Sequence, residues 1–164
     1  MAVSADTLRL HLDYTAWASQ RLLDSVVKLT REELTRDFKT SDKDVLNTLV
    51  HVFAADRLWL SRIQRTPQAT FIDPEDRELA ALTGKWPPLQ QRWKQWAASL
   101  TDLDAQAQIA YHDLQGNPFQ QPLWQIVLHV VNHGSHHRGQ VSGFLRSMGH
   151  TPPKLDLTAF YRQL

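Results

Sequence analysis

Four of the eight histidines in this chain fall within nine residues, at His129, His133, His136 and His137. The stretch that carries them, His129-Val130-Val131-Asn132-His133-Gly134-Ser135-His136-His137-Arg138-Gly139-Gln140, reads as part of one helix. At about 100° per residue, His133 and His137 lie roughly 40° apart on successive turns, with Ile126, Val130, Val141 and Phe144 on the same side. An i, i+4 pair of this kind can grip one metal ion, because the two rings project in parallel. The competing reading is a pair of core histidines whose four ring nitrogens are satisfied within the protein, a costly arrangement wherever a partner is missing. His129 and His136 turn toward the flank of Gln125 and Asn132 and are weaker candidates.

A third ligand has to come from another helix, since three histidines with one open position are a common catalytic arrangement. His11, His51 and His112 are the candidates. Ala54, Ala55 and Leu58 share the helical face of His51 and leave room for an ion and a substrate, whereas His11 and His112 are expected on an exposed helix flank and in a loop. Asp56 lies in the apolar stripe of the His51 helix. It is expected to pair with Arg21 or Tyr14 in a structural contact, or to orient a histidine ring. Gln140, about 20° from His133 around the helix, is placed to touch substrate or a ligand ring, while Arg138, about 140° away, is expected in a structural or interface salt bridge. The six tryptophans read as packing residues.

Four long amphipathic segments must position these groups. Apolar spacing predicts a first helix over Ala5 to Leu29. Thr30 with Glu33 has the pattern of a capping box for a short helical turn, and Ser41 with Asp44 marks the start of a second long helix ending near Gln64. Residues Thr66 to Lys85 read as a long polar crossover, with a short helix at Glu75 to Leu82 closed by Gly84. The third helix is expected to begin near Pro87-Pro88. Gly116-Asn117-Pro118 marks a turn, either between two short strands or in a plain loop. The fourth helix runs from Pro122 to Met148, and the tail from Lys154 packs outside. The predicted fold class is all-α, a four-helix bundle with a long crossover connection.

Composition narrows the function. The 164 residues suit one globular domain spanning 1–164. Eighteen basic side chains against 17 acidic ones argue against a nucleic-acid footprint, and no apolar run approaches the roughly 20 residues of a membrane span. No signal peptide is evident at Met1 to Asp6, so a cytoplasmic location is expected. With no cysteine, disulfides, thiolate metal sites and a nucleophilic protein thiol are all excluded, and any sulfur chemistry must use a bound thiol.

Three segments together resemble the DinB-like (DNA-damage-inducible) family, which groups with thiol-dependent transferases and mycothiol-dependent maleylpyruvate isomerases. They are Tyr14-Thr15-Ala16-Trp17-Ala18-Ser19-Gln20-Arg21, His51 with Ala55-Asp56-Arg57-Leu58-Trp59, and His129 to His133 with His136-His137-Arg138-Gly139-Gln140. Ser19 stands where the family usually has asparagine. The resemblance implies a four-helix bundle, a homodimer, and a divalent metal, commonly zinc or nickel, held by His51, His133 and His137.

Three neutral imidazoles would leave such an ion its full charge and a strong Lewis acidity. One expectation is a transferase that activates a low-molecular-weight thiol for attack on a small electrophile. The alternatives are a metal-dependent hydrolase, for which no glutamate stands beside the histidines as general base, and a non-catalytic metal-binding stress protein closed by a fourth ligand such as His129 or His136.

Overall fold

The computed structural model describes residues 3–67 and 70–164. Four long helices dominate: α1 (Ala5–Val26), α3 (Val45–Gln64), α4 (Leu79–Ala98) and α6 (Leu123–Ser147). Three short helices, α2 (Arg31–Leu34), α5 (Asp102–Gln106) and α7 (Leu157–Tyr161), one 3-10 turn (Pro74–Arg77) and one antiparallel pair, β1 (Gln108–His112) with β2 (Pro118–Pro122), complete the described elements. No described helix is long and apolar enough to cross a membrane.

Local chemistry sets most boundaries. Ser4 caps α1 by accepting from the Thr7 amide. Thr30 and Glu33 form the expected capping box of α2. The start of α3 differs from the Ser41 expectation, since Asp44 is the cap and accepts from the Asn47 backbone and side-chain amides. At the other end of the chain, Gly149 (φ +87°) ends α6, with its amide bonded to the Arg146 carbonyl and that of His150 to Leu145. That is a Schellman stop, which requires a left-handed residue.

The third long helix begins eight residues earlier than the prolines suggest. It runs from Leu79 straight through Gly84, Pro87 and Pro88, preceded by a 3-10 turn at Pro74–Arg77. Two missing proline amides cost backbone hydrogen bonds. Burial of Leu82, Trp86, Leu89 and Trp93 outweighs that loss, because each fully buried apolar side chain is worth roughly 1.5–3 kcal/mol. Crossover residues 68 and 69 lie outside the described residues.

Each of α1 and α3 packs against both α4 and α6, so the pairs α1/α3 and α4/α6 stand across the diagonals of the bundle. Its core is one apolar cluster contributed by all four helices, and a smaller cluster of Tyr14, Ala18, Val131 and Phe160 docks α7 on the outside. The adjacency of α3 and α6 brings His51 toward the histidines of α6.

Candidate metal centre

His51 projects from the middle of α3, and His133 and His137 from the middle of α6. The Nε2 atoms of His51 and His133 lie 3.0 Å apart, and each of the three rings offers one nitrogen within 4.8 Å of the others. Two nitrogens bound tetrahedrally to zinc at about 2.0–2.1 Å sit about 3.3 Å apart, close to the His51–His133 spacing, and the His137 nitrogen lies within reach of the same point.

The protonation state suits it too. Burial, reinforced by the neighbouring imidazoles, pushes His133 down to about 3. His137 is lowered as well, mainly by burial, although its bond to Gln140 and the charge of Asp42 pull the other way. Both rings are therefore neutral at pH 7 and present lone pairs, the form that binds metal.

One hydrogen bond orients a ring from behind, and one carboxylate lies close by without bonding. His137 donates from Nδ1 to Gln140 Oε1 at 2.7 Å, which leaves its Nε2 free as a ligand. The carboxylate of Asp42 lies 3.6 Å from His137 Nδ1 and 3.9 Å from His51 Nδ1. Of the two contacts expected of Gln140, substrate or a ligand ring, the structure shows a bond to the ring of a candidate ligand. Asp42 was not legible from spacing, because it stands in a loop two residues before the α3 cap, where helical periodicity says nothing.

The other candidates stay outside the cluster. His11 bonds the Thr7 carbonyl, and His112 is exposed on β1. His129 packs edge-on against Trp59, and His136 against His137, both exposed, so neither supplies a fourth ligand.

Two sequence expectations are corrected. Asp56 is fully buried, and its partners come from α4 instead of α1: Trp86 and Gln90 donate to Oδ2 at 3.0 and 2.9 Å, and among the described residues no cation pairs with it directly. Burial drives its carboxyl up to about 7 against those two bonds and the charge of Arg138. Arg138 makes no ion pair among the described residues. It turns inward, 2% exposed, over the Tyr14 ring, and donates to Ser19 and Ser135. The reason is Gly134, where a Cβ would stand 2.7 Å from Arg138 Nη1. Ser19, the departure from the family's asparagine, is therefore a buried acceptor.

A cavity opens beside two of the three rings. Its volume is about 270 Å³, and it is walled by His51 and His133, by Trp59 and Phe71, and by the β1–β2 turn at Asp113 to Gln115. Phe71 stands edge-on to His51 at 5.7 Å. It is held there by the crossover, where buried Asp76 accepts from Arg57 at 2.6 Å and Lys85 at 2.7 Å, and Arg57 also donates to the Phe71 carbonyl. A larger cavity of about 810 Å³ lies on the other flank of α6, between α1 and the C-terminal segment, and none of the three histidines lines it.

Comparison with known proteins gives the lineage. The sequence pattern of the DinB family matches residues 1–163. The chain belongs to the DinB family. Protein DinB of Bacillus subtilis (strain 168) is 22% identical over 152 residues, which cover 88% of this chain and 87% of that protein. A DinB-like protein from Bacillus cereus ATCC 10987, solved by crystallography, superposes with a TM-score of 0.66 at 20% identity, over 94% of this chain and 99% of the other. At that identity the likeness shows a shared DinB fold. Within this DinB-family chain, the cluster of His51, His133 and His137 could hold a metal ion.

Proposed function

We propose that this DinB-family protein binds a divalent metal ion, zinc or nickel, through His51, His133 and His137, and uses its open side to join a low-molecular-weight thiol to a small electrophile. The observation that carries the reading is the cavity shared by His51 and His133, with no fourth ligand among the described residues to close it. A structural site is closed, whereas a catalytic one keeps a position free. When bound, such an ion lowers the pKa of a coordinated thiol and holds it as a nucleophile. The chain itself orients His137 through Gln140, places the Asp42 carboxylate behind His137 and His51, and shields one side of His51 with Phe71. Having no cysteine, it leaves the sulfur to a cosubstrate.

Hydrolysis is less well supported. Asp42 faces the Nδ1 atoms, away from the open side. Asp113, a carboxylate on the cavity wall, is held below the usual range, chiefly by the Asn117 side chain and against some desolvation, which makes it a weak base. A homodimer forms part of the proposal, and sedimentation equilibrium tests it.

Elemental analysis of tag-free protein, with His51→Ala, His133→Ala and His137→Ala alongside, is the test. Near-stoichiometric metal in the parent and its loss in all three variants is expected; full retention in any one of them removes that histidine from the set. Loaded protein is then offered glutathione, mycothiol or bacillithiol with reactive electrophiles. No thiol consumption with any of them would reduce the reading to metal binding without turnover.

A further inference from the structure

The cavity beside the three histidines ends in a cation that no described group neutralises by contact. Arg62 lies eleven residues after His51, about 20° around α3 and roughly 16 Å along it. Its side chain leans back toward the helix N-terminus. The guanidinium carbon lies 4.7 Å from the centre of the Trp59 ring and 5.3 Å from that of Tyr111, in the corner made by two rings set at 71° to each other. No described carboxylate forms an ion pair with it, and no described acceptor takes one of its five N–H groups. Asp113, on the same wall, already accepts from the Gln115 and Asn117 amides and the Asn117 side chain, so its oxygens are engaged within its own turn. Arg62 is also half-buried; desolvation works against its charge and prevails over the nearby Tyr111 and Asp113, which support it. A guanidinium held in cation–π contact with two rings, with no described acceptor on its donors, is placed to take a planar, bidentate oxyanion.

We infer that Arg62 is the specificity-determining residue of this cavity and recognises a carboxylate at one end of an extended small molecule whose other end lies at His51 and His133. The volume of about 270 Å³, just below the usual range for drug-sized ligands, fits such a molecule. The flanking Trp59 and Phe71 accept its apolar middle. The inference deepens the proposed transferase reading and shares its cavity, but the carboxylate contact needs no metal.

The test uses metal-free protein, so that no carboxylate can bind an ion, and follows the Trp59 indole N–H by NMR, assigned with Trp59→Phe. Hexanoate and its neutral counterpart hexanamide probe a thiol-free ligand, and glutathione probes a carboxylate carried by the thiol. Arg62→Gln is expected to weaken hexanoate, glutathione or both by tenfold or more, equivalent to about 1.4 kcal/mol, while leaving hexanamide unchanged. Loss confined to hexanoate assigns the carboxylate to the electrophile, and loss confined to glutathione assigns it to the thiol. Arg62→Lys keeps the charge without the fork and is expected to retain part of the affinity. Equal binding of both acids by parent and Arg62→Gln would overturn the inference, as would an equal loss of hexanamide. Metal content of Arg62→Gln is expected to match the parent. Carboxylate binding that survives in a protein unable to take metal would sink the metal reading and leave the role of Arg62 standing.

Discussion

His137 and Gln140 are joined across one turn of α6 by a 2.7 Å hydrogen bond from the ring Nδ1 to the amide oxygen. That bond fixes which nitrogen is left to a metal. Gln140→Ala is expected to lower metal affinity about 10- to 100-fold, the usual cost of losing a group that orients a histidine ligand, while leaving the unfolding midpoint of metal-free protein nearly unchanged. Chelator competition measures the first and thermal unfolding the second. Gln140→Glu keeps an acceptor and should retain most of the affinity.

Asp56 makes stability depend on pH in a predictable direction. Its folded-state pKa is raised to about 7, so the native protein keeps a proton that the unfolded chain has released. The contribution to stability is fully present below about pH 4, the unfolded value, and is lost as pH rises to about 7. Asp56→Asn removes this dependence. The stability of the parent relative to the variant should fall between pH 4 and 8, by on the order of 4 kcal/mol at most. Urea unfolding of both proteins at several pH values checks it; a constant difference would show that Asp56 ionises normally.

The crossover over the site rests on Asp76. Burial opposes its ionisation, but hydrogen bonds from Lys85 and Arg57 prevail and hold it below the ordinary carboxylate range. Asp76→Asn should cost about 1–3 kcal/mol, as expected for hydrogen bonds to a charged group. It should also speed amide exchange in residues 70–77, which carry Phe71. Hydrogen exchange that is unchanged there would mean that the segment is held by something else.

Two helical glycines should respond to alanine with opposite signs. At Gly84 a Cβ meets nothing within 4 Å, and the substitution should stabilise by about 0.5–1 kcal/mol through helix propensity. At Gly134 the same Cβ would press on Arg138, which is buried and bonded to Ser19 and Ser135, so the gain should be reversed. Denaturant midpoints of the two variants decide it.

How much of this was legible beforehand follows from the range of the interactions. The His133–His137 pair is a local fact, because helical geometry alone sets two rings one turn apart on an apolar face. The capping box at Thr30, the glycine stop of α6 and the turn at Gly116 are local in the same way. The start of α4 was not, since Pro87 and Pro88 are helix breakers by propensity and only the buried surface of Leu82 and Trp86 carries the helix through them.

The site divides along the same line. Sequence by itself determined that a histidine pair faces the interior, that no protein thiol exists, and that Gln140 lies on the same side of the helix as that pair. Tertiary structure decided that α3 lies beside α6, which brings His51 Nε2 to 3.0 Å from His133 Nε2, and that Asp42, Phe71 and Arg62 arrive at the same place from a loop, a crossover and a later turn of α3. It also decided that Asp56 finds Trp86 and Gln90. These contacts join residues far apart in the chain or outside any periodic element. Side-chain spacing is fixed by the local backbone, but partners across a bundle are chosen by which apolar faces pack together.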